Sequence, residues 1–241
     1  MKALLLAGGR GRRLEGTSLG INKCMLNLGG KPVLEYNLDN AIEIGTDEII
    51  IVVGYRAEDI INRYGIEYKD TKIKYVIQKE QKGLVHAIEC AADALNGEDF
   101  FLALGDEILI KPKHSQMMQL FRKENLFGIC GVLVQENKAL ISKTYTLVED
   151  NDQRIYRLVE KPRKALNNLM GTGNCIFKNG LLSYIDRTPI NHERGEKELP
   201  DLIQCAIDEG NIVKSFITCD NYFNINSDED LKTTEKCLNN N

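Results

Sequence analysis

The sequence lacks the features that would indicate a membrane or a nucleic acid as a partner. Its 241 residues contain no run of about 18 apolar residues, the length that a membrane-spanning helix needs. Positive charge is not in excess either, because the formal net charge is −4. A protein that coats nucleic acid needs a surplus of lysine and arginine to face the phosphates. We therefore expect neither a membrane nor a nucleic-acid partner.

The sequence is also poor in histidine and lacks closely paired cysteines. His86, His114 and His192 are widely separated and form neither a zinc-binding pattern nor a nucleophilic triad, so we interpret them as surface or packing residues. The seven cysteines are an odd number and include no C-x-x-C pair. This usage favours reduced, mostly buried thiols, and the first apolar segment is too short for a signal peptide. We expect a cytoplasmic protein.

What the sequence does contain is an alternation of strand-like and helical segments, with 43% hydrophobic residues to form a core. Apolar runs at 3–6, 48–53, 74–77 and 100–104 are each followed by a segment of helical period. This βαβα pattern predicts an α/β fold with a Rossmann-like, mainly parallel sheet flanked by helices. Four strand-like segments after residue 127 predict antiparallel pairs beside that sheet, and helices are expected at 178–185 and 198–209.

We expect one domain over residues 1–241, because no internal repeat or linker divides the chain. Within it, a first lobe extends to about residue 126 and an antiparallel second lobe covers about 127–241.

A glycine-rich loop follows the first predicted strand. Its residues are Ala7, Gly8, Gly9, Gly11 and Arg13, and Lys23 comes ten residues after Arg13. Glycines let the backbone turn tightly and bring its N–H groups close to an anion, while arginine and lysine supply charge for phosphate oxygens. The loop lacks the Gly-Lys-Ser/Thr of a Walker loop and the third glycine of a dinucleotide fingerprint. It nevertheless predicts a nucleoside triphosphate site.

Charged residues stand at the ends of two further predicted strands. Asp106 follows the strand at 100–104, on the same sheet edge as the glycine loop. A carboxylate there can hold Mg²⁺, which takes few carboxylates and keeps phosphate oxygens and water as its other ligands. In the second lobe, Glu160 and Lys161 end a strand, and Pro162 is expected to keep the lysine extended. That lysine is suited to bind a second anion.

Together these segments resemble the sugar-1-phosphate nucleotidylyltransferases, most closely the glucose-1-phosphate thymidylyltransferases and their uridylyl and cytidylyl relatives. The resemblance extends from residue 2 to 231. It rests on five blocks in the family's order: Gly8-Gly9-x-Gly11-x-Arg13-Leu14 with Lys23, Gln78-x4-Gly83-Leu84, Leu104-Gly105-Asp106, Glu160-Lys161-Pro162, and Asn224-Ile225-Asn226-Ser227-x-Glu229-Asp230-Leu231.

The resemblance implies the Mg²⁺-dependent transfer of a nucleotidyl group from a nucleoside triphosphate to a sugar 1-phosphate, with release of pyrophosphate. It implies that the nucleotide is bound by Ala7, Gly8, Gly9, Gly11, Arg13, Gln78 and Gly83. The acceptor would be bound by Glu160, Lys161 and Gly173. The catalytic residues would be Arg13, Lys23, Asp106 and Lys161, and the metal ligands Asp106 and Asn224.

Two positions depart from the family pattern. Asn224 stands where an aspartate is usual, so the metal site loses a negative charge. Thr146 stands where the hexose enzymes usually have a glycine against the sugar, which leaves the acceptor open. Gln78 can both donate and accept, as the edge of uracil or thymine requires, so dTTP or UTP is favoured over CTP.

Three other functions stay open. A cytidylyltransferase for choline phosphate or an isoprenoid precursor would also carry segments similar to Asn22-Lys23 and Asn224-Ile225-Asn226. A catalytically silent subunit that binds a nucleotide sugar is the second. An α/β domain that binds a protein or RNA through its cationic loop is the third, which the acidic net charge disfavours. The sequence is also compatible with a homo-oligomer.

Overall fold

The computed structural model describes residues 1–9 and 21–239, and every strand and helix has its bounds within those residues. The strands are β1 (Lys2–Ala7), β2 (Asn27–Leu28), β3 (Lys31–Pro32), β4 (Glu48–Val53), β5 (Glu67–Tyr68), β6 (Thr71–Ile77), β7 (Phe100–Leu104), β8 (Glu107–Ile110), β9 (Gly128–Val134), β10 (Tyr145–Glu149), β11 (Ile155–Glu160), β12 (Leu169–Phe177), β13 (Ile190–Asn191), β14 (Glu196–Lys197), β15 (Val213–Ile217) and β16 (Asn221–Asn224). The α-helices are α1 (Val33–Glu43), α2 (Ala57–Tyr64), α3 (Leu84–Cys90), α4 (Ala92–Leu95), α5 (His114–Lys123), α6 (Lys138–Ile141), α7 (Leu199–Asp208) and α8 (Asp228–Asn239).

The central sheet has eight strands in the order β15-β9-β12-β7-β1-β4-β6-β5. β1 lies between β7 and β4 and is parallel to both, and β6 continues the parallel set. The sheet is thus mainly parallel and flanked by helices, which confirms the predicted fold class. Strands from both predicted lobes belong to this one sheet, while the division of the chain at about residue 126 stays a prediction.

The second half of the chain is less antiparallel than expected. β12 is antiparallel to both of its neighbours, β7 and β9. β9 consequently runs in the same direction as β7, and β15 pairs parallel to β9. β10 and β11 do form an antiparallel hairpin, but that hairpin lies outside the central sheet.

Side chains alternate in direction along the central strands, so the buried core is divided between the two faces of the sheet. Leu4 and Phe100 belong to one cluster of buried residues, and Leu5 and Phe101 belong to another. Successive side chains of a strand point to opposite faces, and helices cover both faces of a parallel sheet. This is why β7, and β1 after Lys2, are apolar rather than alternating with polar residues.

Some helices differ from the expectation. The segment expected to be helical at 178–185 forms a 3-10 turn at Asn179–Tyr184, where Gly180 lowers helix propensity. The helical segment expected after the strand at 74–77 is interrupted at Ala91, between α3 and α4. No helix in the described part of the chain is both long enough and apolar enough to cross a lipid bilayer.

Candidate active site

Two adjoining clefts open beyond the carboxyl ends of the central strands, where ligands bind in open α/β sheets. The first has a volume of about 520 Å³, and we call it the loop cleft because Gly8 and Gly9 line it. The second has a volume of about 260 Å³, and we call it the hairpin cleft because residues of β10 and β11 line it. Leu84 and Leu104 line both, so the two spaces are neighbours.

The structure brings the predicted site residues together in two groups. The loop cleft is lined by seven of them, namely Ala7, Gly8, Gly9, Lys23, Gln78, Gly83 and Asp106. The hairpin cleft is lined by the other four that the structure describes, namely Glu160, Lys161, Gly173 and Asn224. The remaining two predicted residues, Gly11 and Arg13, lie outside the described residues.

Asn22 holds Lys23 in the loop cleft. Asn22 is fully buried, and its Nδ2 donates to the carbonyl oxygens of Ala7 at 3.2 Å and Tyr55 at 2.8 Å. Its Oδ1 accepts from the Cys24 amide at 2.9 Å and so caps the short 3-10 turn Lys23–Met25. These bonds tie the turn to the end of β1. Nζ of Lys23 can then pair with Oδ2 of Asp106, which follows β7.

Gln78 follows β6, and its amide is held by Gly83 and His86. Nε2 lies 3.1 Å from the Gly83 carbonyl oxygen and 3.0 Å from Nδ1 of His86. The sequence led us to expect that Gln78 donates to a base and also accepts from it. Nε2 has two partners within the protein in this arrangement, which leaves Oε1 for a base, and the role of Gln78 at a base stays a prediction. No pattern in the sequence connects His86 with this site.

Gly83 must be glycine for two reasons. Its φ of +93° is unfavourable for residues with a side chain, and a Cβ there would lie 2.9 Å from Cβ of Glu196. Glu196 comes from β14 and also lines the loop cleft, as does Gln81, whose Nε2 donates to the Gly8 carbonyl oxygen at 2.8 Å. Sequence reasoning identified neither Glu196 nor Gln81.

Glu107 lies beneath the hairpin cleft. Its buried carboxylate accepts from the Gly173 amide at 3.1 and 2.9 Å, from Nδ2 of Asn174 at 2.9 Å, and from the Tyr222 hydroxyl at 2.7 Å. Burial, followed by the nearby charge of Asp106, raises the pKa of Glu107 to about 8 in spite of these donors. The bonds from the Gly173 amide to Glu107 fix the backbone at Gly173. A Cβ added to Gly173 would lie 2.2 Å from Cγ of Leu104.

Asp106 and Asn224 are neighbours, as a shared metal ion would require. β8 and β16 pair antiparallel with Asn224 opposite Glu107, and the Ile225 amide donates to the Asp106 carbonyl oxygen at 2.9 Å. Oδ1 of Asn224 accepts from Nδ2 of Asn226 at 2.5 Å. Within residues 1–9 and 21–239, no group of three or more His, Cys, Asp or Glu residues could hold a metal. A site with one carboxylate and one amide oxygen fits Mg²⁺, which takes its remaining ligands from water and substrate phosphates.

Lys161 is not extended, contrary to the expectation from Pro162. Its φ is +41°, in the left-handed region that is unfavourable for lysine. Its amide donates to the Thr144 carbonyl oxygen at 2.6 Å and so continues the pairing between β10 and β11. The ammonium lies 3.2 Å from Oε1 of Glu160, and Nη1 of Arg194 lies 3.3 Å from the same oxygen. Backbone strain at a candidate binding residue is typical of functional sites.

Thr146 does not intrude on the hairpin cleft. The residues that line the cleft near the start of β10 are Lys143, Thr144 and Tyr145. The Thr146 hydroxyl is instead directed at Oδ1 of Asn167, 2.9 Å away, and at the Leu169 carbonyl oxygen, 2.8 Å away. Thr146 is therefore not among the residues that bound the space for an acceptor.

Comparisons with known proteins agree with this geometry. The family described as Nucleotidyl transferase matches residues 2–224. The UTP–glucose-1-phosphate uridylyltransferase AglF of Haloferax volcanii is 32% identical over 214 residues, which cover 88% of this chain and 86% of AglF. The bifunctional protein GlmU of Methanococcus maripaludis is 30% identical over 215 residues, which cover 88% of this chain and 48% of GlmU. The chain thus spans about half the length of GlmU.

Solved structures show the same fold. A UDP-glucose pyrophosphorylase crystallised with UDP-glucose superimposes with a TM-score of 0.88 at 22% sequence identity, covering 99% of this chain and 98% of that one. The family match over most of the chain and the identity to AglF go beyond fold. The chain belongs to the nucleotidyl transferase family, as a member of the sugar-1-phosphate nucleotidylyltransferases.

Proposed function

We propose that this protein joins a nucleoside triphosphate to a sugar 1-phosphate, giving a nucleoside diphosphate sugar and pyrophosphate. The observation that carries the proposal is the pair of adjoining clefts. One combines a glycine loop with Lys23 and Asp106, and the other presents Glu160 and Lys161 to a second ligand. Two phosphorylated substrates can thus lie side by side, with Leu84 and Leu104 lining both spaces. AglF, whose name gives UTP and glucose 1-phosphate as substrates, supports this choice.

The reaction needs no covalent enzyme intermediate. A phosphate oxygen of the acceptor attacks the α-phosphorus of the triphosphate, the bond to the β-phosphate breaks, and pyrophosphate leaves with that electron pair. Cys24 lines the loop cleft, but burial, followed by the charge of Asp106, raises the pKa of its thiol to about 12. A thiol in that state is a poor nucleophile. The task of the protein is to bring two anions together and hold them in line.

The cations of the two clefts supply the necessary charge. In this proposal Lys23 and Arg13 face the triphosphate, and Lys161 faces the acceptor phosphate, so that repulsion between the substrates is offset. Asp106 and Asn224 would hold Mg²⁺, which when bound withdraws charge from phosphate oxygens. Glu160 and the backbone at Gly173 would bind hydroxyl groups of the sugar.

The position of Thr146 bears on the choice of acceptor. Its hydroxyl is directed away from the hairpin cleft, so the feature that set this chain apart from the hexose enzymes does not argue against a sugar.

For the base we favour uracil or thymine, because Oε1 of Gln78 can accept from an N–H group. Seven cysteines without a C-x-x-C pair support a cytoplasmic location.

A matrix of substrates tests the proposal. ATP, GTP, CTP, UTP and dTTP are each combined with glucose 1-phosphate, other sugar 1-phosphates, choline phosphate and an isoprenoid phosphate, and pyrophosphate release is measured. We expect release with a sugar 1-phosphate and UTP or dTTP. Release confined to CTP with choline phosphate or the isoprenoid phosphate would establish the cytidylyltransferase alternative instead. Binding of a nucleotide sugar without release in any combination would indicate a silent subunit.

A further inference from the structure

The atoms around the Gln78 amide fix its orientation. The Gly83 carbonyl oxygen can only accept a hydrogen bond, so the amide atom 3.1 Å from it is the nitrogen Nε2. The same nitrogen lies 3.0 Å from Nδ1 of His86. Because an amide nitrogen donates and does not accept, Nδ1 is the unprotonated nitrogen of the ring. Nε2 of His86 then carries the proton and faces Sγ of Cys90, a weak acceptor 3.7 Å away.

Both hydrogens of the Gln78 amide are therefore used within the protein. Among the residues that the structure describes, no donor is directed at Oε1 of Gln78. That oxygen lies close to Gly8, since a Cβ built on Gly8 would be 3.0 Å from it. Gln78 and Gly8 both line the loop cleft. What Gln78 offers a ligand in this cleft is thus an acceptor alone.

We propose that His86 is a specificity-determining residue that restricts the base to one with an N–H at ring position 3. By accepting the second hydrogen of Gln78 Nε2, His86 keeps the amide from rotating and from donating to the base. Uracil and thymine can donate from N3 to Oε1, whereas N3 of cytosine is a lone pair and would face Oε1 as a second acceptor. The inference rests on the proposed function, because it takes the loop cleft to be the nucleotide site.

His86 acts through Gln78 and is a positioning residue. Without an acceptor at position 86, one hydrogen of Nε2 is freed and only the bond to the Gly83 carbonyl oxygen still orients the amide, so Nε2 can turn the freed hydrogen towards the ligand. The expected change is therefore in the discrimination between bases, and not in the affinity for the acceptor, which occupies the other cleft.

The test compares UTP and CTP, each with Mg²⁺, by isothermal titration calorimetry without an acceptor. His86→Leu removes the ring nitrogen, His86→Asn keeps an acceptor at the position of Nδ1, and Glu89→Gln on the exposed side of α3 is the matched control. We expect wild type to bind UTP more tightly than CTP. His86→Leu should lower that ratio by about 2- to 12-fold, the value of one neutral hydrogen bond. His86→Asn and Glu89→Gln should stay within about twofold of wild type.

A second measurement needs no variant. The ¹⁵N chemical shifts of His86 in the wild-type protein should show a protonated Nε2 and an unprotonated Nδ1. A protonated Nδ1, a wild type that prefers CTP, or a folded His86→Leu with an unchanged ratio would each overturn the inference. Failure of the proposed function is separate. It would show as no pyrophosphate release with any sugar 1-phosphate, even where the selectivity in nucleotide binding is as expected.

Discussion

The ammonium of Lys23 pairs with the carboxylate of Asp106, although the two residues are 83 positions apart in the sequence. Their side chains are only 15% and 13% exposed. Each arrives at the loop cleft by a different route, Lys23 through the turn that Asn22 caps and Asp106 at the end of β7. An ion pair with so little contact with water holds both groups in place before a substrate binds.

Asp106→Asn tests the role of this carboxylate. The change keeps the shape of the side chain but removes its charge, and with it the only carboxylate among the two proposed Mg²⁺ ligands. We expect turnover, measured by pyrophosphate release, to fall about 100-fold or more, with the circular dichroism spectrum unchanged. Asp220→Asn, which affects an exposed pair with Lys113, is the control and should keep wild-type turnover. Near-normal turnover of Asp106→Asn at low Mg²⁺ would refute the role.

Lys161→Ala should affect the acceptor far more than the nucleotide. If Lys161 binds the acceptor phosphate, loss of this charge-assisted contact should raise the apparent KM for the sugar phosphate by about 10- to 100-fold. The KM for the nucleotide should change little, because that substrate lies in the other cleft. Steady-state kinetics with each substrate varied in turn provide the measurement. Lys164→Ala, an exposed neighbour that lines neither cleft, is the control; an unchanged acceptor KM in Lys161→Ala would place the acceptor elsewhere.

Gly173→Ala should destabilise the fold. The added methyl group would lie 2.2 Å from Cγ of Leu104 and 3.0 Å from Oε2 of Glu107, both in well-packed surroundings. We expect the free energy of unfolding in urea to fall by about 1–3 kcal/mol. Gly9→Ala is the matched control, because nothing described lies within 4 Å of a Cβ built there. Equal stability of Gly173→Ala and wild type would show that the strand can move away from Leu104.

The contribution of His114 to stability should decline in mild acid. This residue is buried, its Nε2 lies 2.9 Å from Oδ1 of Asn174, and burial lowers its pKa from 6.5 to about 4. The folded state therefore favours the neutral ring. The unfolded chain takes up the proton first, so stability present above pH 6.5 is lost as the pH falls towards 4. The loss from this one group should reach about 3 kcal/mol at most.

His114→Gln isolates that contribution. Glutamine can still donate to Asn174 but does not titrate. The difference in unfolding free energy between wild type and variant should be constant above pH 6.5 and should shift in favour of the variant between pH 6.5 and 4. Parallel curves across this range would contradict the assignment.

The long, periodic elements and the strand-end residues could be predicted from the sequence. β7, β1 after Lys2 and β4 after Glu48 are apolar because both faces are covered, and a glycine or a charge shortly after β1 and β7 marks the loop cleft. The pairing of β8 with β16 was not predictable in this way, since each strand has four residues and no local pattern connects them. Tyr222 and Glu107, which this pairing joins, are 115 positions apart.

The residues that sequence reasoning missed act through partners supplied by tertiary structure. Asn22 looks like an ordinary polar residue until Ala7 and Tyr55 are seen to accept from it. His86 is important because its Nδ1 lies 3.0 Å from Nε2 of Gln78. Glu107 did carry a signal, an acidic residue directly after Asp106, but a sequence does not show that its side chain turns to the other cleft.

The central claim is direct transfer of a nucleotidyl group between two substrates in adjoining clefts. ³¹P NMR of wild type with Mg²⁺, UTP or dTTP, and glucose 1-phosphate or the sugar 1-phosphate that proves most active tests it most directly. The proposed function predicts that the two diphosphate resonances of a nucleotide sugar grow together with pyrophosphate in equal amounts, and only when both substrates are present. Release of inorganic phosphate, or of pyrophosphate with a nucleoside monophosphate in the absence of the sugar phosphate, would contradict the claim.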